Sequence, residues 1–208
     1  MAACAALPLA WAATPAPLRT PQGPHILVLG DSLSAEYGLA RGTGWVHLLE
    51  QRLASEVPAA RVTNASVSGE TTSGGRSRLP ALLQQHKPSV VIIELGGNDA
   101  LRGLPLQGTQ ANLLAMTQAA QDAGARVLLL GMQMPPNYGR KYSEDFAHLY
   151  THVAQARQAA LLPFFLQGVA DQADPTALFQ ADRIHPNAQA QPVLLNNVWP
   201  LLRPLLGG

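Results

Sequence analysis

The chain alternates between short apolar runs and longer segments in which apolar residues recur every three or four positions. Four runs are predicted to be strands, at residues 25–29, 61–66, 89–95 and 126–132. Three of them are apolar throughout, a pattern typical of strands that are covered on both faces. A fifth run, 161–166, contains Pro163, which cannot donate to a neighbouring strand and therefore favours an edge position.

Amphipathic helices are predicted between these strands, most clearly at residues 44–57 and 144–162. The residues predicted to face the core are Trp45, Leu49, Leu53 and Val57 in the first helix, and Phe146, Leu149, Val153, Ala156 and Ala160 in the second. Alternating strands and helices imply right-handed crossovers and a parallel sheet. The sequence therefore predicts an α/β fold, a three-layer α/β/α sandwich.

The first residues differ from the rest of the chain. Residues 1–12 are small and apolar and end in Ala10, Trp11 and Ala12, a small-x-small pattern that signal peptidase accepts, although the positive start of a full signal is missing. This predicts a signal peptide over 1–12, a Pro-rich leader over 13–23 and one domain over 24–208. The single cysteine, Cys4, would then leave with the signal; its lipidation is the alternative.

Charge narrows the range of expected partners. The 208 residues carry a formal net charge of +1, only 13% of them are charged, and no basic stripe is present. Nucleic acid and anionic membrane surfaces are therefore not expected as partners. No apolar run is long enough to span a bilayer. We expect a monomer that acts on a small, largely neutral molecule.

Polar residues and glycines follow the predicted strands at the edge where parallel sheets bind ligands. Ser32 follows the first strand, at the start of a predicted helix, where its hydroxyl and its N–H would face the sheet edge. Gly69 follows the second strand and Asn98 the third, and both can donate N–H groups to an oxyanion. The structural alternatives are a helix cap at Ser32, an ordinary turn at Gly69 and an Asx turn at Asn98.

An acid and a histidine lie close together near the C-terminus. Asp182 and His185 are three apart in ADRIHPN, so the carboxylate can accept from the ring Nδ1 and leave Nε2 as a base. Pro186 restricts His185 to extended backbone, which predicts a loop before the last helix. Asp99 is the alternative acid, and Asp182 is preferred. The combination predicts a serine nucleophile, a base and oxyanion donors at one sheet edge.

Four sequence blocks resemble those of the SGNH (GDSL) hydrolases. They are GDSLSAEYG, NASVSGETTSGG, GGNDALRGL and DRIHPN, and the resemblance extends over about residues 26–205. MPPNYG and NNVWPLLRPLL are most similar to the branch of bacterial periplasmic acyl thioesterases, lysophospholipases and arylesterases. The resemblance implies a flavodoxin-like, five-stranded α/β/α sandwich.

The same resemblance implies specific roles for the site residues. Ser32 would be the nucleophile, His185 the general base and Asp182 its orienting acid. The oxyanion hole would consist of the N–H groups of Ser32 and Gly69 and the side chain of Asn98. The implied reaction is hydrolysis of acyl esters or thioesters through an acyl-enzyme, without metal or cofactor. A carbohydrate O-acetyl esterase of the same fold is the alternative.

Apolar residues near the predicted site are candidates for the walls of an acyl pocket. They are Leu101, Leu104, Pro105, Met134, Pro135, Tyr138 and Ile184. Packing of the loops against the domain is the alternative explanation for these side chains.

The sequence gives less support to two other classes of function. A nucleotide-binding module would need the further glycines or the lysine of a phosphate-binding loop, which the loop after the first strand lacks. A metal site at His148 and His152 is disfavoured because helical phase directs both side chains away from the core, toward solvent. We therefore expect an enzyme with no metal.

Overall fold

A computed structural model describes Met1, residues 23–174 and residues 176–207. Beyond Met1, the predicted signal peptide over 1–12 lies outside the described residues, as does the predicted leader up to residue 22.

The sheet has five parallel strands in the order β2-β1-β3-β4-β5. The strands are β1 (His25–Gly30), β2 (Arg61–Asn64), β3 (Val90–Glu94), β4 (Arg126–Leu130) and β5 (Ala160–Leu162). This confirms the predicted sheet, although β5 covers only the start of the predicted run 161–166. The central strands β1 and β3 are buried throughout, whereas β2 and β5 form the edges. Strand β5 ends directly before Pro163, consistent with its predicted edge position.

Helices cover both faces of the sheet. They are α1 (Trp45–Glu56), α2 (Thr72–His86), α3 (Gly97–Leu101), α4 (Leu106–Asp122), α5 (Arg140–Arg157) and α6 (Gln191–Leu202). Successive side chains of a strand point to opposite faces, so each buried strand contributes to two cores. Val28 and Ile92 pack with α1 and α6, and Leu27 and Ile93 pack with α2, α4 and α5. The three-layer prediction is confirmed.

The prediction for the helix before β5 was wrong at its C-terminal end. Helix α5 ends at Arg157, because Gln158 has a left-handed φ of 50°, and Ala160 belongs to β5 instead. Ala156 is exposed, whereas Ala154 is buried. The helical spacing identified Phe146, Leu149 and Val153 correctly, but the apolar residues beyond Arg157 continue into the next strand.

The expected helix directly after β1 is also absent from the described residues. Residues 32–38 form successive turns, and α1 begins only at Trp45. The turns contain Glu36, which has a φ of 59° and whose carboxylate accepts hydrogen bonds from the N–H groups of Gly42 and Gly44. This loop holds Ser32 at the sheet edge without a helix.

Candidate active site

Ser32, His185 and Asp182 form a continuous hydrogen-bonded chain beyond the end of β1. The Ser32 hydroxyl lies 2.9 Å from Nε2 of His185. Nδ1 of the same ring lies 2.7 Å from Oδ2 of Asp182. With the proton on Nδ1, the ring donates to Asp182 and Nε2 accepts from the serine. This is the geometry that a base needs in order to remove the proton of a serine nucleophile.

The turn that carries the acid also fixes its charge. Oδ1 of Asp182 accepts from the N–H groups of Ile184, at 2.9 Å, and His185, at 3.0 Å. Burial alone would raise the pKa of Asp182, but the hydrogen bonds from His185 and Ile184 outweigh it and lower that pKa to about 2. Asp182 is therefore ionised at neutral pH and can stabilise a protonated imidazole.

Neighbouring residues anchor the histidine loop. The Gln180 N–H donates to the His185 carbonyl at 2.8 Å, and Phe179 forms a β-bridge with Pro186. The Tyr37 ring packs on the imidazole, with 4.4 Å between ring centroids. Sequence reasoning missed Tyr37, since a tyrosine in a turn of the first loop carries no signal for a contact with a residue so distant in the chain.

Gly69 lies on the loop after β2, and Asn98 lies on the short helix α3. Gly69 has a φ of 78°, which suits glycine, and its carbonyl accepts from the Arg102 guanidinium at 2.9 Å. Asn98 Nδ2 donates to Oδ2 of Asp31 at 2.9 Å, which places this amide next to the residue that precedes Ser32. Within the described part of the chain, the backbone N–H groups of Ser32 and Gly69 have no intramolecular acceptor. They are available to bind a negatively charged oxygen.

The alternative acid has a different environment. Asp99 is buried, and its carboxylate accepts from the Thr72 N–H at 2.9 Å and from the Thr72 hydroxyl. It therefore holds the start of α2 against α3. Asp182 is the acid that contacts the histidine.

An apolar cavity of about 510 Å³ lies beside the site. Its lining includes Gly97, Leu101, Met132, Met134, Pro135, Phe164, Leu166, Ala170, Phe179 and Ile184. Four of the predicted pocket residues thus line it. The other three predicted residues, Leu104, Pro105 and Tyr138, are not among the described residues that line this cavity.

A second cavity, of about 480 Å³, lies between α4 and α5, and His148 and His152 line it from exposed positions on α5. In the ranges that the structure describes, no group of three or more His, Cys, Asp or Glu side chains is arranged to hold a metal ion. A search of the same ranges finds no helix with the length and apolar character needed to cross a membrane.

Comparisons with known proteins show the family of the chain. Residues 28–191 match the GDSL-like Lipase/Acylhydrolase family. The chain is 55% identical to Esterase TesA of Pseudomonas aeruginosa over 87% of its own length and 89% of that protein. It is 42% identical to Thioesterase 1/protease 1/lysophospholipase L1 of Escherichia coli K12, over 87% of its length and 84% of that protein. A crystal structure of TesA matches with a TM-score of 0.84 and 54% identity, covering 88% of this chain and 99% of the other.

Proposed function

Because the chain belongs to the GDSL-like lipase/acylhydrolase family, we propose that Ser32, His185 and Asp182 catalyse its reaction. The protein is a serine hydrolase that cleaves carboxylic esters or thioesters. The observation that carries the residue assignment is the 2.9 Å contact between the Ser32 hydroxyl and His185 Nε2, with Asp182 on the opposite ring nitrogen.

Acylation of Ser32 requires a proton transfer through His185. As Ser32 attacks the carbonyl carbon of the substrate, His185 accepts its proton and then returns it to the leaving alcohol or thiol. Asp182, already ionised, stabilises the imidazolium that forms between these two steps. In deacylation a water molecule takes the place of the serine hydroxyl, and the same base activates it.

Negative charge collects on the carbonyl oxygen as the tetrahedral intermediate forms. The N–H groups of Ser32 and Gly69 and the second N–H of the Asn98 amide would stabilise this charge. Removing one such donor typically lowers turnover by about 10²- to 10³-fold. We expect a loss of this size for Asn98→Ala, measured as kcat on a p-nitrophenyl ester.

The acyl group of the substrate would occupy the apolar cavity beside the site. Gly97 and Ile184 line this cavity and are sequence neighbours of Asn98 and His185, so the cavity opens next to the reacting groups. Its volume of about 510 Å³ lies within the range of ordinary ligand sites. This supports an acyl chain longer than acetyl as the bound group.

We also propose that the protein is exported to the periplasm. The support is the apolar sequence at 1–12 with its Ala10-Trp11-Ala12 pattern, followed by a single domain that begins at residue 24. Mass spectrometry of the protein recovered from a periplasmic extract should show a mature N-terminus near Ala13.

Labelling tests the nucleophile directly. A fluorophosphonate probe should label the wild-type protein and should not label Ser32→Ala. The exposed residue Ser55 provides a matched control, since Ser55→Ala should be labelled like the wild type. Labelling that persists in Ser32→Ala would exclude Ser32 as the nucleophile.

A substrate series tests the acyl cavity. The values of kcat/KM for p-nitrophenyl esters from C2 to C16, measured beside an acyl-CoA and a lysophospholipid, should rise above the C2 value as the chain lengthens. Activity confined to C2 would contradict this use of the cavity and favour a carbohydrate O-acetyl esterase.

A further inference from the structure

Two acidic side chains, Asp31 and Glu94, lie buried side by side beneath the proposed oxyanion donor Asn98. Asp31 is 3% exposed and Glu94 is 1% exposed. The strand register brings them together, since Gly30 at the end of β1 pairs with Glu94 at the end of β3. The ion pairs among the described residues include neither carboxyl group. The proposed reaction does not use Glu94.

Glu94 accepts hydrogen bonds from two residues of the segment that directly follows β1. Its Oε2 accepts from the Asp31 N–H at 3.2 Å and from the Ser34 hydroxyl at 2.8 Å. The Trp45 indole N–H donates to the same Ser34 oxygen at 3.2 Å, which ties this cluster to α1. Gly30 leaves the space for it, because a Cβ at that position would lie 2.8 Å from Glu94 Oε2.

The two carboxyl groups lie side by side, with the Asp31 N–H on Glu94 Oε2, and cannot both be charged in such a buried place. Burial, and then the charge of Asp31, raise the pKa of Glu94 well above its usual value. Burial also raises the pKa of Asp31, to about 6. At neutral pH, Glu94 therefore keeps the proton and donates it to an ionised Asp31.

An ionised Asp31 determines which way the Asn98 amide points. The oxygen and nitrogen of an asparagine side chain are nearly equal in size, so its orientation depends on its partners. Asp31 Oδ2 accepts from Asn98 Nδ2 at 2.9 Å, and a carboxylate there admits the NH₂ group and repels the amide oxygen. The second N–H of Asn98 is then available for the substrate.

We propose that Glu94 is a positioning residue for ester hydrolysis, whose hydrogen bond to Asp31 keeps that carboxylate charged and directed at Asn98, so that the Asn98 amide presents an N–H group to the developing oxyanion. Glu94 acts through Asp31 and contacts no substrate. This inference rests on the proposed role of Asn98 in the reaction.

A double-mutant cycle between Glu94 and Asn98 tests the inference. Glu94→Leu removes the donor to Asp31 at similar volume, and kcat on p-nitrophenyl butyrate should fall by roughly 10- to 100-fold while KM changes little, because an oxyanion donor acts in the transition state. In an Asn98→Ala background, the same substitution should lower kcat by less than about threefold, because the group it positions is gone. Equal losses in the two backgrounds, or no loss in the wild-type background, would overturn the proposal.

Three further variants separate positioning from folding. Glu94→Gln keeps a donor for Asp31 and an acceptor for Ser34, so it should retain kcat within a few-fold of the wild type; a loss as large as that of Glu94→Leu would contradict the proposal. Val91→Ala, in the same buried strand, should lower Tm and leave kcat unchanged. If Glu94→Leu does not fold, Glu94→Asp, which withdraws the carboxyl by one methylene, replaces it in the cycle with the same expected results.

The single variant Asn98→Ala separates the oxyanion role of Asn98 from the positioning role of Glu94. If it retains full kcat, the proposed oxyanion role of Asn98 fails, whatever Glu94 does. If its kcat falls and the two positions prove independent, only the inference about Glu94 fails.

Discussion

At the scale of single residues, the charge of Asp182 is set by its own turn. With hydrogen bonds from His185 and Ile184 that hold its pKa at about 2, Asp182 stays ionised throughout the pH range of an ordinary assay. Asp182→Asn removes this charge, and we expect kcat to fall by roughly 10²- to 10⁴-fold, as when the acid of a serine triad is lost. The measurement is kcat on a p-nitrophenyl ester from pH 5 to 9.

The control for this prediction is Asp145→Asn. Asp145 is an exposed acid that pairs with Lys141 on α5, and its loss should leave kcat unchanged. If Asp182→Asn kept wild-type turnover at neutral pH, Asp182 would not be the partner of the catalytic base.

Glu94 should affect stability as well as turnover. Because burial raises its pKa, Glu94 in the native state keeps a proton that the unfolded chain releases. The resulting contribution to the free energy of unfolding is complete below the ordinary pKa of glutamic acid and is lost as the pH rises through the native pKa. Glu94→Gln has no proton to lose. We therefore expect the Tm of the variant, relative to that of the wild type, to increase between pH 5 and pH 9.

Scanning calorimetry of the two proteins at several pH values measures this difference. A shift of a few degrees is the expected size, since about 1 kcal/mol moves the Tm of a domain of this length by roughly 2 to 4 °C. A difference in Tm that stayed constant with pH would show that Glu94 has the same protonation in the native and unfolded states.

The sequence predicted the residues of the site better than their supports. Ser32, Gly69 and Asn98 each follow a predicted strand, and parallel strands bring their carboxyl ends to one edge, so the pattern alone indicates that these residues meet. Glu94 carried a weak signal, as an acid within an apolar strand. Its contact with Asp31 depends on the register between β1 and β3, which periodicity does not determine.

At the scale of elements, α5 supports the connection between β3 and α3, the short helix that carries Asn98. The buried Tyr150 hydroxyl donates to the Leu95 carbonyl at 3.0 Å, directly after β3. Tyr150→Phe leaves this carbonyl without its donor, and an unsatisfied buried acceptor costs about 1 to 3 kcal/mol. We expect a lower Tm by thermal denaturation. Tyr138→Phe, at an exposed position, is the control, and an equal Tm for the two variants would exclude this support.

The strands were easier to predict than the helix ends. A buried strand needs a continuous apolar run, and three such runs became β1, β3 and β4 with small differences at their ends. Helix α5 ends where Gln158 adopts a left-handed conformation, and glutamine gives no local signal for it. The apolar residues that follow are compatible with either a helix or an edge strand, so only the pairing of β5 with β4 decides between the two.

At the scale of the whole molecule, the apolar cavity is assembled from segments far apart in the chain. Helix α3, the loop after β4 and side chains between Phe164 and Ile184 each contribute to its walls. The residues predicted for the walls lay mainly after β3 and β4, so Phe164, Leu166 and Ala170 were missed. Only the packing of the C-terminal third against β4 and β5 brings these side chains to the site.

Ala170 offers a test of whether this cavity selects the acyl chain. It lies on the wall formed by residues 164–170, and Ala170→Trp adds a large ring to that wall. We expect kcat/KM for C8 and longer p-nitrophenyl esters to fall by about tenfold or more, because each methylene excluded from an apolar site loses roughly 0.8 kcal/mol, while the C2 ester is cleaved at nearly the wild-type rate. Ala156→Trp, on the exposed face of α5, controls for the added ring. An equal loss for short and long esters would place the acyl chain elsewhere on the molecule.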